Sequence, residues 1–158
     1  MECLKNQKVL VELDLSYLDD FIAMHNESRR SWKVYYPPLN RQILIETMSA
    51  IPEKCVYAVK ENDIILGYLL CHINDHYSNN AIRTAHHETV LVSRERCKSG
   101  YKVYKVTEML IDAMIAWAKS KQASRIIWAS GTGSWRGFEH ILLCRNARQI
   151  GVVLDLEL

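Results

Sequence analysis

Residues 90–119 hold the feature that most constrains the fold: a short apolar strand, a cationic turn and a long amphipathic helix in direct succession. The strand is Val90, Leu91 and Val92. The turn, residues 94–105, carries Arg94, Arg96, Lys98, Lys102 and Lys105 against a single acid, Glu95, with one glycine, Gly100, where the helix would begin. In the helix, expected over 101–120, Val103, Val106, Leu110, Met114 and Trp117 recur at helical spacing, while Lys102, Lys105, Glu108, Asp112 and Lys119 point away from them. Such a unit belongs to a layered α/β arrangement. The first N–H groups of a helix lack intrahelical partners and carry partial positive charge, so this helix start is a seat for phosphate. A solvated basic loop is the plain alternative.

The common nucleotide motifs do not account for the loop. Lys98-Ser99-Gly100 has the wrong order for a Walker loop, and the dinucleotide fingerprint needs three glycines where one stands. The chain carries a net charge of only +2, so the cations are a local feature of a nearly neutral protein. That suits a small anionic ligand and argues against nucleic acid, which selects a broad basic face.

At 158 residues, 49% of them apolar, the chain is expected to form one domain over 1–158 with a real core. Its longest apolar run, 64–71, is too short to span a bilayer, and the N-terminus shows no signal or transit composition. Five cysteines, odd in number and without a CxxC pair, indicate a reducing compartment. The expectation is a cytoplasmic protein without membrane contact.

Periodicity and turn residues predict a strand over 9–13, a helix capped by Asp14 or Ser16 and running to 25–30, and a second helix capped by Asn40 and stopped by Pro52. Between these helices, residues 32–39 present Trp32, Tyr35 and Tyr36 in a proline-bearing loop. Strands over 55–60, 64–73 and 84–93 form an antiparallel meander, with a turn at Glu61-Asn62-Asp63 and a polar tip at Ser78-Asn79-Asn80. After the long helix come a strand over 124–130, a turn over 131–134, a helix over 137–145 and a closing strand over 149–156. The order is β-α-α-β-β-β-α-β-α-β: a mixed, mostly antiparallel α/β (α+β) sheet with helices on both faces.

This order, with the basic loop between the third meander strand and the long helix, resembles the GNAT superfamily of acetyl-coenzyme A-dependent N-acetyltransferases. The family pattern is a strand, a short spacer, then Arg/Gln-x-x-Gly-x-Gly/Ala opening a helix. With Gly100 as the first family glycine, Cys97 stands at the Arg/Gln site and Lys102 at the second small site; sliding by one residue puts Arg96 on the Arg and Ser99 and Tyr101 on the glycines. The resemblance implies acetyl-CoA as cosubstrate. Backbone of Val90, Leu91 and Val92 would pair with its pantetheine arm, and Arg96, Cys97, Lys98, Ser99, Gly100, Tyr101 and Lys102 would surround its diphosphate. Core strand is the alternative for residues 90–92.

The implied reaction is direct transfer of acetyl to a primary amine of a small molecule or protein, through a base, a polarised carbonyl and an acid for the thiolate. The family base falls near His86, with Glu88 one step along; strand alternation puts His86, Glu88 and Val90 on one face and His87 and Thr89 on the other. A solvent-facing His-His-Glu is the competing reading. The family's tyrosine acid is missing, and Cys144 falls nearest by spacing, either as donor or as a structural cysteine. The family's asparagine after the fifth strand is also absent. These departures sustain an alternative, a GNAT-fold binding or inhibitory protein without turnover. His72, His76, His86 and His87 can gather about the hairpin, with 72 and 87 nearly symmetric about Asn79, but no cysteine or carboxylate completes a metal set, so no metal is expected. An unpaired edge near the tail would favour a homodimer.

Overall fold

The computed structural model describes residues 8–12, 15–29, 38–51, 53–76, 79–128 and 136–147. Its elements are β1 (Val9–Glu12), a 3-10 turn (Leu15–Tyr17), α1 (Leu18–Arg29), α2 (Arg41–Ala50), β2 (Lys54–Glu61), β3 (Ile64–His76), β4 (Asn79–Val92), α3 (Arg94–Cys97), α4 (Gly100–Ser120), β5 (Arg125–Ile127) and α5 (Arg136–Leu143). The sheet runs β1-β2-β3-β4-β5, antiparallel throughout except for the parallel β4–β5 pair. The aromatic loop at Trp32, Tyr35 and Tyr36, the turn over 131–134 and the closing strand over 149–156 lie outside the described residues.

Local chemistry explains most boundaries. Asn40 caps α2 as its spacing predicts, its Oδ1 accepting from the Ile43 N–H at 2.8 Å. The β2–β3 hairpin closes on Asn62 and Asp63, both with positive φ (51° and 63°), the backbone of a two-residue turn that asparagine and aspartate tolerate. β3 and β4 run further toward their hairpin than periodicity predicts, because strand pairing with a neighbour carries polar residues such as Asn74 into the ladder. The basic turn is not one loop. Ser93 caps the short helix α3 through its Oγ, Lys98 ends it in the left-handed region (φ 61°), and Ser99 caps α4.

Helices cover both faces of the sheet. On one, Val103, Val106, Leu110, Met114 and Trp117 of α4 pack on Cys55, Val59, Leu69, Cys71 and Ile73. On the other, Phe21 and Met24 of α1 and Leu44 of α2 pack on Val56, Ala58, Tyr68 and Leu70. Each such buried aliphatic side chain contributes about 1.5–3 kcal/mol over leaving it in water. The helix spacing read from the sequence is therefore the packing stripe itself. No helix among the described residues is long and apolar enough to cross a membrane.

Close approach of α4 to β3 depends on Gly67, which stands opposite Val92 on β4. A Cβ there would lie 2.9 Å from the Leu91 carbonyl oxygen and 2.9 Å from methyls of Val106 and Val92. Gly67→Ala should lower stability by about 1–3 kcal/mol, the usual overpacking cost, measured by urea unfolding. An unchanged midpoint would show that α4 can retreat from the sheet without loss.

Candidate active site

β4 pairs with β5 only at Thr84↔Arg125, Ala85↔Ile126 and His86↔Ile127. Beyond His86, no strand among the described residues pairs with that edge of β4, while the other edge stays bonded to β3 as far as Val92. Among the described residues the sheet therefore forks at His87. Val90, Leu91 and Val92 lie along one arm of the fork, half-buried, and lead through α3 to the start of α4.

A β-bulge sits at the fork. Leu70 is opposite Thr89 and Cys71 is opposite His87, so Glu88 has no partner on β3. This corrects the simple alternation expected for the strand. His86 and Glu88 do share a face, but the extra residue turns Thr89 to that face and Val90 to the opposite one, against the α4 core.

The hairpin register is also one residue from the symmetry expected: His72 stands opposite His86, not His87, and their rings stack at 5.4 Å. Glu88 Oε1 lies 2.9 Å from Nδ1 of His72, within ion-pair distance but off the direction of a ring N–H hydrogen bond. Nε2 of His72 meets the Asn74 amide at 2.9 Å. Burial first, and then the neighbouring His72 ring, holds His86 below the ordinary histidine value, with Glu88 pulling the other way. Burial thus favours the neutral, proton-accepting form of His86, and the carboxylate of Glu88 beside it is half-exposed. The sequence gathers His72 with His86 about the hairpin as a metal candidate only; its approach to Glu88, and the role of Asn74, follow from strand register and have no sequence signal.

On the opposite face of β4, His87 packs against Trp128 (ring centroids 5.2 Å) and Phe138 of α5 (6.3 Å), which meet edge-on at 5.7 Å. This aromatic group lines the fork on the α5 side. The remaining candidate is Cys144. That thiol follows the last residue of α5, is exposed and lies 3.6 Å from His140 Nε2. Six residues of helix separate it from Phe138, about 9 Å along the axis.

At the start of α4 the N–H of Lys102 is taken by Ser99 Oγ (3.2 Å), which leaves those of Ser99, Gly100 and Tyr101 without an intrahelical acceptor. A Cβ added at Gly100 would touch nothing within 4 Å, so the outside of this first turn is open. Three residues expected to surround a diphosphate here have other partners. Arg96 turns to α1 and β3, bonding Glu27 at 3.0 and 3.1 Å, Asp20 at 2.8 Å and the Ile65 carbonyl at 3.0 Å. Cys97 is buried in the α4 core, and burial pushes its thiol up. Lys102 pairs with Glu61. The N–H groups of Arg96, Cys97 and Lys98 are likewise used inside α3, by Ser93 Oγ, the Ser93 carbonyl and the Arg94 carbonyl. What remains at this helix start is the amides of residues 99–101 with the exposed side chains of Arg94 and Lys98, neither of which has a carboxylate partner among the described residues.

Comparison with known proteins places this architecture. The sequence pattern of the acetyltransferase (GNAT) family covers residues 21–140. The chain belongs to the GNAT family. Solved GNAT folds superpose over nearly the whole chain. An acetyltransferase of Pyrococcus furiosus matches with TM-score 0.69 at 14% identity, covering 96% of this chain and 100% of its own. Glucosamine-6-phosphate N-acetyltransferase from Arabidopsis thaliana gives 0.67 at 13%, over 96% and 98%. AAC(6')-Iy, solved with a bisubstrate analogue of CoA, gives 0.68 at 11%, over 96% and 97%. No curated protein sequence matches this chain. The GNAT family uses acetyl-CoA, and its fold is the one predicted from element order, including the mostly antiparallel sheet. Among the described residues no group of three or more His, Cys, Asp and Glu side chains is suited to a metal ion.

Proposed function

We propose that this GNAT protein transfers acetyl from acetyl-CoA to a primary amine of a small molecule or a protein by direct attack. The observation that carries the reading is the continuity of one strand: β4 holds Glu88 on a bulge at the fork and then runs into the unpaired amides of residues 99–101. Those amides and the side chains of Arg94 and Lys98 would hold the diphosphate. Backbone groups of Val90, Leu91 and Val92, on the edge that no described strand pairs, would hold the pantetheine amides as an added strand.

Glu88, with neutral His86 beside it, takes the proton as the amine nitrogen bonds to the acetyl carbon. The carbon–sulfur bond then breaks, and the thiolate departs on the α5 side, where His87 can return a proton. The products are the N-acetyl amine and free coenzyme A thiol. Base and acid thus come from consecutive residues on opposite faces of one strand. A second reading, a binding or inhibitory protein without turnover, is favoured by α5, which carries no tyrosine to serve as the family's acid.

Titration of acetyl-CoA by calorimetry, followed by thiol release with a panel of amines, tests both. Binding with release supports the transferase, binding alone supports the second reading, and no binding overturns both. The seat has its own test in Gly100→Ala. The position has ordinary backbone and open surroundings, so alanine should raise helix stability by up to about 1 kcal/mol. If the coenzyme lies against this backbone, the same change weakens its binding severalfold. Unchanged affinity in the stabilised variant would move the diphosphate elsewhere.

A further inference from the structure

We infer that His72, oriented by Asn74, is a positioning residue that aims the Glu88 carboxylate at the acceptor amine. The inference rests on Glu88 being the base in the reading above, and adds a role that motif spacing does not suggest. His72 is nine-tenths buried in the sheet. Each of its ring nitrogens faces one group: Nε2 the Asn74 amide and Nδ1 the Glu88 carboxylate, each at 2.9 Å. With the Asn74 Nδ2 donating, Nε2 is the acceptor and the ring proton stays on Nδ1, toward Glu88.

That proton has no aligned acceptor in the resting protein. A buried N–H without one is costly, so Glu88 is drawn into line whenever its carboxylate settles over the ring. Glu88 needs such a hold. It sits on the bulged residue, which has no register partner on β3, and its side chain is 46% exposed, so no residue directly opposite fixes its rotamer. Catalytic hydrogen bonds are often poorly aligned before substrate binds and tighten afterwards. The other titratable or charged groups facing His72 among the described residues are His86 on β4 and Lys54, opposite on β2. The Lys54 ammonium is engaged by the Ile51 carbonyl at 2.9 Å.

The experiment measures thiol release, acetyl-CoA affinity and the histidine ring nitrogens by 15N NMR in the full chain. His72→Leu keeps the volume and removes the donor. It should lower kcat at least about tenfold, the scale of a misdirected catalytic group, with the coenzyme dissociation constant unchanged. Asn74→Ala, at an exposed position, should give a smaller loss in the same direction and shift the His72 proton from Nδ1 toward Nε2. In the native chain the spectrum should show the His72 ring proton on Nδ1 and none on Nε2. A proton on Nε2, or full rate in His72→Leu while the native chain releases thiol, overturns the inference and leaves the transferase reading standing. Absence of thiol release from the native chain with every amine overturns the transferase reading and this role with it.

Discussion

Glu88→Gln should lower kcat/KM for the amine by about 10²–10³-fold, the usual contribution of a positioned general base. The amide keeps the size of the carboxylate and the bulge that carries it, so acetyl-CoA binding and the unfolding midpoint should stay as in the native chain. The loss should fall on kcat, because proton removal occurs in the transition state and not in the ground-state complex. His86, held neutral by burial and by His72, remains beside the vacated role. A variant that retains full rate across pH would pass the base function to His86 or to water. Equal losses in coenzyme affinity and in rate would mean that Glu88 shapes the site instead of serving the reaction.

Arg96→Met should reduce stability by about 2–3 kcal/mol, which for a chain of this size lowers Tm by roughly 5–10 °C. The guanidinium is largely buried and ties α1 to β3 through Asp20, Glu27 and the Ile65 carbonyl. Removing it leaves two carboxylates and a carbonyl without their donor. The carboxylates are more than a third exposed, so water offsets part of the loss and the figure stays below that of a fully buried pair. Burial lowers the Arg96 pKa and the two carboxylates raise it, with the raising effect the larger, so the cation is fixed in the folded state. Acetyl-CoA should bind the folded variant with native affinity. A tenfold loss of affinity at unchanged Tm would restore Arg96 to the diphosphate and make its ion pairs incidental.

These two residues mark what is local in the sequence and what is not. The family resemblance implies a base near His86, with Glu88 one step along, and strand alternation puts both on one face. The bulge at Glu88 depends on which residues of β3 stand opposite, so no single stretch of sequence shows it. Arg96 looked like part of a cationic cluster, and its charge could be counted but not its partners. Those partners lie 69 and 76 residues away in the chain. The same holds for Cys144, which falls nearest the family tyrosine by spacing and stands just past the end of α5, exposed beside His140.

By sequence alone, the chain determined its element order, the apolar stripe of α4, the Asn40 cap and the strand-to-helix turn that led to the GNAT resemblance. All of these depend on hydrogen bonds and periodicities spanning a few residues. Only the tertiary structure decided which cations are free, which histidine meets Glu88, why Gly67 must lack a side chain and where the sheet parts. Those follow from register and packing between distant segments, and a contact between two segments has no signature in either one.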